Sequence, residues 1–396
     1  MSQPSNLHER IDAITEEITP HLIEIRRQLH ANPELGFEEY ETSALVMQEL
    51  TRLNIAHRSG FGKTGVAASI GQGNGKTIGI RGDMDALPIQ ESASPEYKSR
   101  NPGKMHACGH DAHTAIALGV SEVLARLSDM LPGRALMVFQ PAEEGLGGAR
   151  AMLEDGLFEW IKPDIMLGYH NWPLIEGGTI GYHPKTAFAS TDPFDITITG
   201  QSGHGAHPHL AVDPIVAAGN LVSSLQTIVA REIAPLDAAV VTVGSIQGGS
   251  ARNQIPDSVK LEGTTRSQNP TVREAVKAAI ERVCAGIAVT HRVTCEPTFL
   301  AGVPPVVNDP DILLSVLDTA RGILGDDKVV ELPQGSMGSE DYAEYSALVP
   351  SAHLRIGSRL KDRSTMLHRS DFDLDEACIP TAVKAIAAAA IDLMKD

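Results

Sequence analysis

Aromatic side chains supply only 4% of the 396 residues, so the sequence displays no aromatic cage from which a flat ligand could be read. Cysteine is nearly as sparse. The four thiols at 108, 284, 295 and 378 lack the spacing of a disulfide framework and are expected to stay reduced. No apolar run approaches the ~20 residues that a membrane span needs, since the Ala-rich stretch 385–391 is closed by Lys384 and Asp392. Positive charge is also short. The 33 Lys and Arg against 50 Asp and Glu give a net charge of -17, with no dense block of either sign, which disfavours nucleic acid and anionic membrane as partners. Residues 1–10 are polar and lack the apolar centre of a secretory leader, so the chain is expected in the cytoplasm.

Two chemistries lose support in the same way. Gly62-Lys63-Thr64 and Gly75-Lys76-Thr77 end like phosphate-binding loops, but the first required glycine is His57 in one and Ile70 in the other. Both are turns. No G-x-S-x-G elbow exists, which leaves a serine hydrolase without its nucleophile.

What is present is length enough for two domains and an alternation of elements. Helical periodicity over 7–29 and 38–53 gives way to short apolar runs at 77–84 (TIGIRGDM), 135–140 (ALMVFQ) and 163–170 (PDIMLGYH), with helical segments at 112–128 and 147–155 between them. This predicts an α/β fold with a mixed, mostly parallel sheet and helices on both faces. From 187 to 301 the order changes to βαββαβ, with strands at 194–200, 239–247, 258–266 and 292–299 and helices at 214–233 and 271–289. That order predicts a ferredoxin-like domain inserted into a larger one made of 1–186 and 302–396.

The chemistry concentrates where α/β sheets bind ligands, beyond the carboxyl ends of strands. Residues 105–113, MHACGHDAH, place Cys108 and three imidazoles ahead of a helix; Asp83 and Asp85 end one strand, Glu143 and Glu144 follow another, and His170 ends a third. A lone His or Asp there is usually a cap, but so many metal-type ligands at several strand ends point to a divalent ion. Cys108 and His110 can face one ion only across an irregular backbone, which Gly109 permits, and His106 and His113 are then expected to support them. Adjacent Glu143 and Glu144 point to opposite sides of an extended segment, so one can bind metal while its neighbour serves as a base. A second His-rich stretch, GHGAHPH at 203–209, is read as metal-binding, as a source of an oxyanion-stabilising group, or as a polar loop; Asn253 and Arg266 are candidates for gripping a carboxylate. A thiol hydrolase using Cys108 and His110 is the competing enzyme class, and a silent metal-binding protein the third reading.

The motifs MHACGHDAHTA, QPAEEG, GYHNWP and LHRSDFDLDE, with RRQLHANPELGFEE, RGDMDALPI, GHGAHPHLAVDPI, RNQIPD and MGSEDYAEY in order, resemble those of the M20 metallopeptidases. The likeness is to the family's amidohydrolase branch, that of hippurate hydrolases, N-acyl-L-amino acid amidohydrolases and indole-acetyl-amino-acid hydrolases. It implies two divalent ions per subunit (Zn, Mn, Co or Ni) on Cys108, His110, Glu144, His170 and His368, with Cys108 as bridge and Glu143 as general base. It implies an N-acyl amino acid substrate, with a dipeptidase or aminoacylase of the same superfamily as the alternative. It also implies a homodimer formed through the small domain, with His204 reaching the partner's active site, and substrate contacts from Asn253, Arg266 and His209. Two departures stand out: Arg81-Gly82-Asp83 replaces a His-x-Asp ligand motif, which makes Asp83 a supporting group, and Arg369-Ser370 follows His368 where the family pattern has Asn or Ser and then Pro.

Overall fold

The structure is a computed structural model that describes residues 7–395. The N-terminal stretch on which the absence of a leader was expected therefore lies, in its first six residues, outside the described residues. The chain divides into two compact units: the larger holds residues through Ala187, Val307–Gln334 and those from Asp341 onward, and the smaller holds Phe188–Val306 with Gly335–Glu340.

Eight strands form the sheet of the larger unit, in the spatial order Ala56–Phe61, Gly65–Ile70, Arg134–Gln140, Thr77–Asp83, Ile165–Glu176, Ser351–Arg359, Ile180–Tyr182, Val329–Glu331. The third to sixth run parallel. A hairpin closes one side, joined antiparallel through Gly65–Ile70, and Ile180–Tyr182 runs antiparallel to its neighbour Ser351–Arg359 on the other. This is the mixed, mostly parallel α/β sheet that the alternation of apolar runs predicts.

Period-two alternation sorts the central strands into two faces. Ala135, Met137 and Phe139, Ile165, Leu167 and Tyr169, and Ala352, Leu354 and Ile356 join the main core with the helices Leu7–Ala31, His110–Arg126, Pro310–Leu324 and Cys378–Leu393. The last helix packs closely because its buried face is largely alanine, from Ala385 through Ala390. The opposite face carries Met166, His170, His353 and Arg355, where Tyr342 lies against Gly168. His170 is thereby turned away from the main core. The sequence reading ended its strand at His170, but pairing with Ser351–Arg359 carries the strand on to Glu176. His170 projects from the middle of a strand, paired there with Arg355 of Ser351–Arg359, whereas the pairing with Thr77–Asp83 ends at Leu167.

In the smaller unit four antiparallel strands lie in the order Ala239–Gly248, Ser258–Ser267, Ser190–Thr199, Thr294–Phe299. The helices Pro214–Thr227 and Pro270–His291 cover one face, with Leu221, Leu225, Val276 and Ile280 packed on Phe194, Ile196, Ile198 and Leu261. This is the βαββαβ order predicted from the sequence. Its helices start where an acceptor side chain precedes proline: Asp213 accepts from the Ile215 and Val216 amides, and Asn269 from that of Thr271. Among the described residues no helix is long and apolar enough to cross a membrane.

Candidate metal centre

The centre is built at the carboxyl ends of the parallel strands of the larger unit. Cys108 and His110 flank Gly109, whose φ of 86° belongs to the left-handed region that glycine enters without strain. A Cβ at Gly109 would collide with the Asn171 side-chain amide, so close approach requires glycine as well. The turn aims both side chains into one space. Cys108 Sγ lies 3.4 Å from His170 Nε2, and the potential ligand atoms of Cys108, His110 and His170 all lie within 4.8 Å of one another.

The acidic pair arrives on a strained loop. Ala142 has φ of 55° and His368 φ of 63°, both left-handed positions that L residues enter at a cost. Buried carboxylates hold the loop in place: Glu39 accepts the Ala142 amide at 2.9 Å, while the two oxygens of Asp85 accept the amides of Glu143 and Glu144, each at 3.0 Å. Glu144 then meets His368, with Oε1 3.1 Å from Nε2. Cys108, Glu144 and His368 form a second group whose ligand atoms fall within 4.8 Å, and His110, Glu143 and Glu144 a third. All six residues singled out as ligands or base are brought together.

Hydrogen bonds set the ring orientations. His110 Nδ1 donates to Asp85 Oδ1 at 3.2 Å, and His170 Nδ1 donates to the Asn171 carbonyl at 2.7 Å, which turns each Nε2 inward. His110 Nε2 is fully buried, makes no hydrogen bond and stands 3.5 Å from Asp83 Oδ2, a position in which a divalent ion would take the place of its proton. His113 is different. Its Nε2 accepts the Asn171 amide at 2.8 Å and its Nδ1 donates to Asp83 at 2.6 Å, so both nitrogens are used. Asp83 is likewise occupied, its second oxygen accepting from Arg81 at 2.7 Å.

Electrostatics separate the same groups. Burial, reinforced by Glu144, Glu143 and Asp83, pushes the Cys108 thiol well above its ordinary range, while burial beside His113 and Arg355 pushes His170 well below. For His110 burial works downward, but Asp83 and Asp85 prevail and raise it to about 10. Without a cation the cluster holds its protons on His110 and Cys108. A thiol, neutral imidazoles and carboxylates together suit a borderline divalent ion, which would displace those protons.

The smaller unit holds the remaining candidates. His204 is exposed and pairs with Gln254 in a two-residue ladder, and the Gly205 amide donates to the Asn253 carbonyl at 2.8 Å. His209 follows in an exposed turn, its ring 6.1 Å from that of His207. Arg266 is not brought to this loop. It lies opposite Thr191, eight residues along the strand from Ser258, which pairs with Thr199 at the loop end; that is roughly 27 Å at the rise of an antiparallel strand. Sequence reasoning placed Asp85 among the strand-end candidates without seeing that it holds the acidic pair and His110, and passed over Asn171. The only signals were an acidic residue two beyond the strand end and an amide following a candidate ligand.

A parallel sheet with a thiol, imidazoles and paired carboxylates at its strand ends defines a hydrolase of the metallopeptidase and amidohydrolase class. The chain belongs to peptidase family M20/M25/M40, whose model matches residues 79–392. It is 40% identical to the N-acetyl-L-cysteine deacetylase of Bacillus subtilis, over 90% of this chain and 84% of that protein. It is 38% identical to the IAA-amino acid hydrolase ILR1-like 5 of Arabidopsis thaliana, over 95% of this chain and 87% of that one. Among solved structures it is similar to the YXEP protein of Bacillus subtilis, described as a dinuclear metal binding peptidase from the M20 family. The identity is 34% and the TM-score 0.84, with 96% of this chain and 99% of that chain covered.

Proposed function

We propose that the protein is a metal-dependent amidohydrolase that cleaves the amide bond of N-acyl amino acids. One observation carries the reading: Cys108 belongs to two ligand groups, one with His110 and His170 and one with Glu144 and His368. A thiolate shared in that way suits a bridge between two ions, in line with the dinuclear description of the Bacillus subtilis protein. Zn, Mn, Co and Ni all suit the donor set. The deacetylase and the IAA-amino acid hydrolase, both similar over most of the chain, support an N-acyl amino acid as substrate.

When bound, the ions would supply Lewis-acid chemistry, polarising the scissile carbonyl and lowering the pKa of water. The remaining work falls to the chain. Glu143, fixed by Asp85 beside ligand Glu144, takes a proton from the attacking water and returns it to the leaving amine. His204 is assigned to the oxyanion, since its Nδ1 accepts the Ala206 amide at 3.1 Å and the proton therefore sits on exposed Nε2. We assign Asn253, His209 and Arg266 to substrate binding. A homodimer through the smaller unit would deliver His204 from one copy and Arg266 from the other, in keeping with their separation within one chain. Its edge strand Ala239–Gly248 exposes Val240 and Ile246, as a strand awaiting a partner does. The four cysteines are free thiols, which suits the cytoplasm.

The thiol-hydrolase alternative is disfavoured by burial, which holds Cys108 protonated in the absence of a cation. Dialysis against a chelator is expected to abolish activity until metal is restored, whereas a thiol enzyme would keep it. Glu143→Ala is expected to keep its metal and lose turnover on N-acetyl, N-benzoyl and indole-acetyl amino acids; near-normal rates would refute the assignment. Faster hydrolysis of dipeptides than of any N-acyl amino acid would favour the dipeptidase reading.

A further inference from the structure

Resting on that ligand assignment, we propose that Arg26 is a positioning residue that sets the His110 and His368 segments in register for metal binding. Arg26 lies on the helix Leu7–Ala31 and is completely buried. Its Nε stands 2.8 Å from Asp111 Oδ2, its Nη2 2.9 Å from Asp373 Oδ1 and its Nη1 3.3 Å from Glu376 Oε1. Asp111 directly follows His110, and Asp373 comes five residues after His368. One guanidinium thus spans two ligand-bearing segments that lie far apart in the chain.

The grip is fixed at every side. His30, one turn further along the same helix, donates Nδ1 to the same Asp111 oxygen at 2.8 Å. The Tyr97 ring covers the guanidinium with its centroid 4.6 Å from Cζ, and its hydroxyl donates to Asp373 at 3.0 Å. Asp373 also accepts the Leu374 amide at 2.9 Å, which ties the carboxylate to its own backbone. Between the two segments themselves one direct bond is present, the His368 amide to the Ala107 carbonyl at 2.8 Å. The His368 ring meets Glu144 at 3.1 Å, but its backbone holds a strained left-handed conformation with that one direct bond to the His110 segment, and the Arg26 contacts to Asp111 and Asp373 tie the two segments a second time.

Stability alone is a poor account of such a cluster. Buried ion pairs gain little over apolar packing of the same volume, because desolvation offsets their attraction, but they do fix relative geometry. Arg27 offers the contrast. It pairs with Glu376 through two hydrogen bonds at 2.7 and 2.8 Å, is about half exposed, and touches neither Asp111 nor Asp373.

The test compares full-length Arg26→Lys, Asp373→Asn and Arg27→Gln with the unmodified protein. Zinc affinity is read by chelator competition, and thermal stability is read without metal. A lysine keeps the charge but cannot span the carboxylates, and Asp373→Asn releases only the His368 end. Both are expected to bind zinc roughly 10- to 100-fold more weakly, the scale of lost outer-shell partners, while Arg27→Gln binds as the unmodified protein does. If Arg26→Lys does not fold, Asp373→Asn decides. Weakened melting with zinc affinity within twofold of the unmodified protein would reduce Arg26 to ordinary packing and overturn the proposal. An unmodified protein that takes up no zinc would instead overturn the ligand assignment.

Discussion

Two segments with three histidines each meet opposite fates in this molecule. In 105–113 the three imidazoles of His106, His110 and His113 are at most 1% exposed; in 203–209 those of His204, His207 and His209 are all exposed. Carboxylates reach the ligand face of the first, so that Asp85 orients His110 and Asp83 orients His113. In the second the rings approach mainly one another, at 5.6 and 6.1 Å between centroids, and among the described residues they do not gather as three ligand atoms within 4.8 Å. Histidine density alone therefore does not make a metal site. Burial removes competing water, and an outer carboxylate fixes which nitrogen faces inward.

The sharpest break of this contrast is a pair of substitutions, one in each segment. Cys108→Ser is expected to lose metal and to lower kcat/KM by more than the roughly 10- to 100-fold typical of outer-shell partners, because it removes a donor shared by two ligand groups. His207→Ala should leave metal content unchanged. Metal analysis of both proteins decides it, and equal loss from the two would erase the distinction. His204→Ala separates binding from chemistry within the exposed segment: metal is retained, and kcat falls by roughly 10²- to 10³-fold, the scale of a missing oxyanion donor. Steady-state kinetics with metal in excess test this, and an unchanged kcat would make the loop a bystander.

Some of this was legible in the sequence for identifiable reasons. Cys108, His110, Glu143, Glu144 and His170 stand out because metal-type residues collect after apolar runs, and strand ends are where α/β folds place ligands. Asp213-Pro214 marks a helix start through local chemistry alone. His368 had no such signal. It sits in an irregular loop with a left-handed backbone, and its approach to Glu144 follows from tertiary contacts with Ala107. Arg26 was hidden for a related reason, its partners lying as far as 350 residues away in an otherwise ordinary amphipathic helix. The order of the sheet strands was also out of reach, because parallel crossovers leave no mark of which strand becomes the neighbour.

The smallest effect is expected within the buried segment itself, at His106. Burial drives its pKa down to about 4, and neither ring nitrogen has a hydrogen-bond partner. In the unfolded chain the group titrates near 6.5, so between about 4 and 6.5 the unfolded state binds more protons than the folded one. His106 therefore leaves stability intact above ~6.5 and withdraws it progressively as the pH falls towards 4, by at most ~3 kcal/mol. His106→Phe keeps the apolar bulk and removes the titration. Urea unfolding of the metal-free protein at pH 7 and pH 4.5 should show the unmodified chain losing ~2–3 kcal/mol more than the variant. Equal losses would mean that His106 takes up its proton in the folded state, and the buried segment would then be wetter than its packing implies.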